Sequence, residues 1–82
     1  MAWINNTKKS KPEIDERYKE DGQYSIEVII HLKNGLNFLA YYDYKEEVWW
    51  AEVTRINDDE VMFWCRIPKL PKLDEDERQE RK

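Results

Sequence analysis

The sequence predicts a small, mainly β domain built on a four-stranded antiparallel meander with a short helix before it. Between residues 24 and 68, β-branched and aromatic runs alternate with short polar breaks, which is the pattern of strands joined by tight turns. The strongest break is Asn34-Gly35, and two further breaks begin at Asp43 and Asn57. Together they divide the stretch into four strands, so the expected class is β-rich α+β.

The Asn34-Gly35 pair predicts the first hairpin. Both central residues of a type I′ turn need a positive φ, and Asn-Gly meets that need at little steric cost. A two-residue turn here fixes the register of the flanking strands. The expected cross-strand pairs are His31 with Phe38, Ile30 with Leu39, and Val28 with Tyr41.

The other two breaks predict the remaining loops. Asp43 to Glu46 is interpreted as a four-residue loop, which places Tyr41 opposite Val48 and Leu39 opposite Trp50. The acidic run from Asn57 to Glu60 returns the chain into the last strand. The predicted strands cover residues 24–32, 36–42, 47–55 and 61–67.

Both faces of this predicted sheet are apolar, because side chains alternate along a strand. One face collects Ile26, Val28, Ile30, Leu32, Leu39, Tyr41, Val48, Trp50, Phe63 and Cys65, and the other collects Ile29, His31, Phe38, Ala40, Trp49, Ala51, Val53, Met62 and Trp64. A meander on a single core leaves its second face polar. Two interpretations follow: the sheet curls into an SH3-like barrel that the N-terminal segment covers, or part of the second face is a binding surface.

The segment before the strands predicts an arm and a short helix. Trp3 and Ile4 are interpreted as an arm that docks on the sheet. Ser10 and Glu13 have the spacing of a capping box, and Pro12 suits a first helical turn. We therefore expect a helix over residues 11–21, with a solvated charged loop as the alternative.

The segment after the strands contains two prolines and a charged end. Pro68 and Pro71 favour an extended path that closes the sheet, although such a stretch can also serve as a ligand for a recognition domain. The single domain is expected to span residues 1–73. Residues 74–82 are almost wholly charged, which predicts a disordered tail or a frayed helix.

Composition narrows the range of partners. The chain has 82 residues and a net charge of −4. Residues 25–68 hold four basic and eight acidic side chains, so the whole net charge lies on the predicted sheet. That balance disfavours a duplex nucleic acid, since phosphate binding needs a basic footprint. A small domain has a limited core, so a homo-oligomer is a further expectation.

Cysteine usage and hydropathy predict a cytoplasmic protein. Cys65 is the sole cysteine, so no disulfide forms within the chain. Residues 1–10 lack the apolar core of a signal peptide, and no apolar run approaches the ~20 residues of a membrane span.

The order of tryptophans and prolines resembles a family of short phage and prophage proteins known as domain of unknown function 551. The resemblance covers about residues 3–71, from Trp3-Ile4 through Trp49-Trp50 to Phe63-Trp64 and the closing prolines. Family members end on Trp-Met-Pro-Leu-Pro, whereas here Trp64 is separated from Pro68 by three residues, and the charged stretch at 13–23 is longer. The resemblance implies a phage-type accessory gene and a compact β-rich fold, without an assigned activity.

The sequence has few side chains of the types that enzymes use for catalysis. We therefore predict that the protein is not an enzyme and that it has no cofactor and no metal site. His31 is the only histidine and has no evident nucleophile beside it. One histidine and one cysteine do not form a closed zinc site within one chain. The acidic run Asn57–Glu60 lacks the spacing and glycine of an EF-hand, so we interpret it as a turn.

The aromatic residues provide the candidate binding surface, because tryptophan and tyrosine are preferred anchors of interfaces. The candidates are Trp49, Trp64, Tyr42, Tyr44 and Phe38, with His31, Arg66 and Glu27 as polar contacts. The alternative for Trp49 and Trp64 is structural packing. The leading hypothesis is a non-enzymatic protein that binds and redirects a host protein, which includes counter-defence. The alternative is an oligomeric protein that binds a small ligand such as a nucleotide signal.

Overall fold

The computed structural model describes residues 2–68, which form one open sheet of six antiparallel strands. The strands are β1 (Ile4–Asn5), β2 (Val28–Leu32), β3 (Asn37–Asp43), β4 (Val48–Ala51), β5 (Thr54–Asn57) and β6 (Val61–Arg66). Their order in the sheet is β1-β6-β2-β3-β4-β5. The mainly β class is confirmed. The four-stranded meander is wrong, because β1 joins the sheet beside β6 and the predicted third strand is two strands.

The predicted helix over residues 11–21 is also wrong. Within that range the only helical geometry is a 3-10 turn at Glu16–Tyr18, capped by the Asp15 carboxylate. The backbone instead pairs with the chain just before β2: the Asp15 N–H donates to the Tyr24 carbonyl at 2.9 Å, and Ile14 bridges Ser25. The thin apolar stripe cannot stabilise a helix alone, whereas this pairing satisfies the same backbone groups.

The β2–β3 hairpin has a three-residue loop rather than the predicted type I′ turn. Gly35 N–H donates to Leu32 C=O, and Leu32 N–H donates to Leu36 C=O. Gly35 has φ +91°, while Asn34 has a negative φ and uses its side-chain oxygen to accept from Leu36 N–H. A type I turn followed by a glycine bulge needs only one positive φ. The loop shifts the predicted register by one residue, so Ile30 pairs with Phe38 and Val28 with Ala40.

The next loop has the predicted length but starts one residue later. Asp43 pairs with Val48, which leaves residues 44–47 as the loop. The Asp43 carboxylate accepts from the backbone N–H groups of Lys45 and Glu46, each at 3.0 Å. Glu47 closes the loop at φ 60°. The pairs Tyr41–Val48 and Leu39–Trp50 are therefore wrong, and Tyr41 lies opposite Trp50.

The predicted strand 47–55 is split by an unforeseen turn. Ala51 pairs with Thr54, so Glu52 and Val53 form a two-residue connection between β4 and β5. Glu52 adopts φ 59°, and Val53 is 91% exposed. No glycine, proline or asparagine marks this turn, and the valine and threonine around it favour an extended strand. Local sequence therefore gives no signal for it.

Strand β3 joins two ladders end to end. Its residues 37–40 pair with β2, and its residues 41–43 pair with β4. The ladder between β3 and β4 stops where the Glu52 turn begins, so the first half of β3 projects beyond β4. β1 and β5 are the two edges of the sheet, which is therefore open rather than closed into the predicted SH3-like barrel.

One face of the sheet carries the core. Its buried cluster comprises Val28, Ile30, Leu32, Ala40, Tyr42, Trp49, Ile56, Val61 and Trp64. The predicted division into faces is wrong, because the one-residue shift after Leu32 places Ala40 rather than Tyr41 opposite Val28. The predicted closing strand 61–67 agrees with β6 to within one residue. The strap beyond Pro68 and the charged tail lie outside the described residues.

Candidate functional site

Three of the predicted surface aromatics are core residues. Trp49 is fully buried, and its Nε1 donates to Asp58 Oδ1 at 2.8 Å. Trp64 is buried and donates from Nε1 to the Ser10 carbonyl at 2.7 Å. The ring of Tyr42 packs on Trp49 with centroids 5.1 Å apart. Trp49, Trp64 and Tyr42 therefore stabilise the fold and present no surface to a partner.

Tyr44 also has a structural position. Its hydroxyl donates to the carbonyl of buried Pro12, and its ring packs edge-on against Tyr42 with centroids 4.9 Å apart. Burial raises the pKa of Tyr44 above its ordinary value, with a smaller contribution from the Glu13 carboxylate. Tyr44 thus holds the segment around Pro12 against the loop that follows β3.

The predicted polar contacts lie apart from each other. Arg66 forms an exposed ion pair with Glu13 at 2.7 Å and stacks over the Trp64 ring at 5.4 Å. Its hydrogen bond holds the pKa of Glu13 below the usual range. Glu27 is exposed and contributes to a groove on the other side of β2, together with Phe38. The structure therefore brings Glu27 and Phe38 to one place and leaves Arg66 elsewhere.

Two carboxylates are committed to structure. Asp43 is buried and accepts from Trp50 Nε1 at 3.1 Å as well as from its own loop. Asp58 accepts from Trp49 and Asn6 and lies 3.3 Å from the ammonium of Lys11. Burial raises the pKa of each carboxyl group, but these hydrogen bonds outweigh it and the net pKa is lowered. Both groups are therefore stable carboxylates rather than proton donors.

An open groove lies between the first half of β3 and the β4–β5 hairpin; we call it the β3–β5 groove. It has a volume of about 780 Å³. Its apolar lining includes Leu36, Phe38, Leu39, Ala51 and Ile56, and its charged lining comprises Glu27, Glu52, Glu60 and Arg55. Leu36, Phe38 and Leu39 are 54%, 41% and 52% exposed. The groove combines accessible apolar surface with a net negative charge.

The backbone of β3 is open along this groove. Leu36 C=O accepts from β2, and backbone groups of a strand alternate between its two sides. Asn37 and Leu39 therefore direct their N–H and C=O groups away from β2. The ladder to β4 begins only at Tyr41, so among residues 2–68 no strand pairs with these groups. They are available to an incoming peptide.

A second, shallower depression surrounds His31 on the opposite face of the sheet. It has a volume of about 410 Å³ and is lined by Trp3, His31, Asn37 and Phe63. The His31 ring lies 5.9 Å from Trp3 and 6.1 Å from Phe63, centroid to centroid. His31 Nδ1 lies 2.6 Å from Asn37 Oδ1, which fixes Nδ1 as the donor because the amide oxygen can only accept.

Sequence reasoning missed Leu36, Leu39 and Trp3 as surface residues. Leu36 and Leu39 follow the Asn34-Gly35 turn, and their exposure depends on where the β4–β5 hairpin ends. Because the Glu52 turn carries no sequence signal, the groove it creates could not be foreseen. Trp3 was predicted to dock on the sheet, and it does contact His31 while remaining 43% exposed.

Comparison with known proteins yields no matching family model, no similar curated sequence and no similar solved structure. The resemblance to the phage family therefore stays a prediction. Within residues 2–68, no group of three histidine, cysteine, aspartate or glutamate side chains is placed to hold a metal ion. The same part of the chain contains no helix with the length and hydropathy needed to span a membrane.

Proposed function

We propose that this chain is a small non-enzymatic binding protein that holds a partner protein in the β3–β5 groove. The observation that carries this proposal is the contiguity of the groove's apolar lining, which includes the exposed Leu36 and Phe38, with an unpaired stretch of strand backbone. Single exposed apolar residues are common, but several together beside an open strand edge are typical of an interaction site. The proposed surface is acidic and apolar, whereas the sequence predicted an acidic and aromatic face of the sheet.

The positions of the reactive side chains support binding rather than catalysis. His31 is engaged with Asn37, Asp43 and Asp58 are engaged in structural hydrogen bonds, and Cys65 is buried. A nucleophile, its base and an orienting group need to converge at one place. The groove presents glutamates and one arginine on an apolar lining, which is a recognition surface.

The resemblance to phage-type proteins supports a bacterial host protein as the partner. A small acidic protein that occupies a host factor can inhibit or redirect that factor, and counter-defence is one such role. The net charge of −4 favours a basic partner surface.

A matched pair of variants tests the proposal. Leu36→Lys places a charge in the groove at a position that is 54% exposed, and Val53→Lys places the same charge at a 91% exposed position outside it. Proteins that co-purify with the parent chain are identified by mass spectrometry. The proposal predicts that a partner is lost with Leu36→Lys and retained with Val53→Lys. Equal retention by two folded variants contradicts it.

A second candidate function rests on the depression around His31. Trp3, His31 and Phe63 present three rings at one exposed place, and such surfaces stack flat ligands with about 1–3 kcal/mol per base. This arrangement favours the small-ligand alternative, with a nucleobase as the ligand. Tryptophan fluorescence titrated with a nucleotide panel tests it, and Trp3→Phe is the control that separates the Trp3 signal from that of the other three tryptophans. Unchanged fluorescence across the panel contradicts this candidate.

A further inference from the structure

We infer that the partner adds a β-strand to the open edge of β3, and that this strand carries alternating apolar and basic side chains. The inference rests on the proposed function, since it names the partner's chemistry at the same groove. Two independent features support it: the direction of the β3 backbone groups and the charge of the groove.

The backbone of β3 provides the first support. Asn37 and Leu39 each direct one N–H and one C=O away from β2, and these positions are two residues apart along an extended strand. An incoming extended peptide can form two pairs of ladder hydrogen bonds with them. The wall across the groove comes from β5, an edge strand, so the added strand lies between the two hairpins.

The groove's side chains provide the second support. Phe38 pairs with Ile30, so it faces the buried side of the sheet and can receive an apolar side chain of the added strand. Three glutamates, Glu27, Glu52 and Glu60, line the groove against the single Arg55. A strand with lysine or arginine at alternate positions complements that charge, whereas an acidic strand is repelled.

The probe is a synthetic eight-residue peptide that alternates valine and lysine, compared with one that alternates valine and glutamate. Binding to the full chain is followed by amide chemical shifts and by hydrogen exchange at each backbone N–H. We expect the basic peptide alone to bind, with affinity that falls as salt rises. We also expect slower exchange at the Asn37 and Leu39 amides, because strand addition covers them.

Two variants at position 39 separate the contribution of the backbone N–H to peptide binding from that of the side chain. Leu39→Pro removes the outward N–H and leaves the ladder to β2 intact, since the N–H of Leu39 does not point to β2. Leu39→Ala shortens the side chain and keeps the N–H. We expect Leu39→Pro to weaken peptide binding about tenfold relative to Leu39→Ala, the effect of one lost hydrogen bond. A peptide N-methylated on the edge facing β3 gives the same comparison without altering the protein.

The outcomes distinguish this inference from the proposed function. If a partner is lost with Leu36→Lys but the Asn37 and Leu39 amides exchange unchanged in the complex, strand addition is overturned and the groove remains a binding site. If the valine–glutamate peptide binds as well as the valine–lysine peptide, the basic character of the partner is overturned. If a second copy of this chain occupies the open edge of β3 and excludes the peptide, the inference that another protein supplies the added strand is overturned.

Discussion

The indole Nε1 of Trp49 donates to Asp58 Oδ1 at 2.8 Å, and this bond ties strand β4 to the 3-10 turn that precedes β6. The same carboxylate accepts from Asn6 Nδ2 at 2.9 Å and faces the Lys11 ammonium at 3.3 Å. Lys11 also donates to Asn6 and Thr7 and lies 5.0 Å from the centre of the Tyr42 ring. One aspartate thus fastens the N-terminal segment to the sheet.

Removing that carboxylate is expected to weaken the fold. Asp58→Ala leaves the buried Trp49 N–H and the nearly buried Lys11 ammonium short of an acceptor, and we expect a loss of about 2–3 kcal/mol in the free energy of unfolding. Urea denaturation measures it. The neighbouring Asp59→Ala is the control, since Asp59 is exposed, and its effect should stay within about 0.5 kcal/mol. Equal effects at the two positions contradict the structural role of Asp58.

Acid is expected to destabilise the protein through Asp43 and Asp58. The folded-state pKa of each lies below the ordinary aspartate value of 3.8, so the unfolded chain binds protons more readily. The stabilisation is present above pH 3.8 and is lost as pH falls through the lower folded pKa values. Urea midpoints between pH 6 and 2 should fall most steeply in that window. Asp43→Asn should flatten the fall, and an unchanged slope in that variant would contradict the prediction.

Alkali is expected to act through Tyr42. Burial, with smaller contributions from Asp58 and Glu47, raises the pKa of Tyr42 to about 12 from an ordinary value of 10.0. Because the unfolded chain loses this proton at a lower pH than the folded chain, the contribution of Tyr42 to the free energy of unfolding is fully present below pH 10.0. It declines as pH rises towards 12. In Tyr42→Phe the alkaline decline should be smaller. Absorbance at 295 nm should show an ionisation near pH 12 that is absent from Tyr42→Phe, and an unchanged profile would contradict this account.

The turn between β4 and β5 offers a stabilising change. Glu52 adopts φ 59°, a backbone conformation that residues with a Cβ atom rarely adopt. Glu52→Gly should raise the free energy of unfolding by about 0.5–1 kcal/mol, since glycine accepts this φ without strain. Glu46→Gly, in the preceding loop at a negative φ, should instead lower it slightly. Thermal denaturation distinguishes them, and a destabilised Glu52→Gly would contradict this account of the turn.

The sequence predicted β structure where backbone preference and turn chemistry agree. Strand β6 and the hairpin around Gly35 were found because glycine, asparagine and β-branched residues act locally. The register was missed by one residue, because a type I′ turn and a glycine-bulge loop have the same Asn-Gly signature. The helix at residues 11–21 was wrong because pairing of Asp15 with Tyr24 is a tertiary effect.

The candidate site was predicted less well than the fold. Tryptophan is typical of both cores and interfaces, and the strand register decides whether its side chain lies on the buried or the exposed face. Here Trp49 and Trp64 are buried. Phe38 and Glu27 are the two predicted site residues that line the β3–β5 groove, and their neighbours there depend on the turn at Glu52. A register error of one residue moves each side chain of a strand to the other face of the sheet. The residues that form a site on a sheet are therefore harder to predict from sequence than the strands themselves.

The most direct test of the central claim is site-specific photo-crosslinking in the host cell. A photoreactive residue is placed at Leu36 or at Phe38, which both line the β3–β5 groove, or at Val53 outside it. The account predicts that positions 36 and 38 crosslink to one partner through a single extended, basic segment, and that position 53 does not. Crosslinks of equal yield from all three positions, or from position 53 alone, would contradict the assignment of the groove as the binding site.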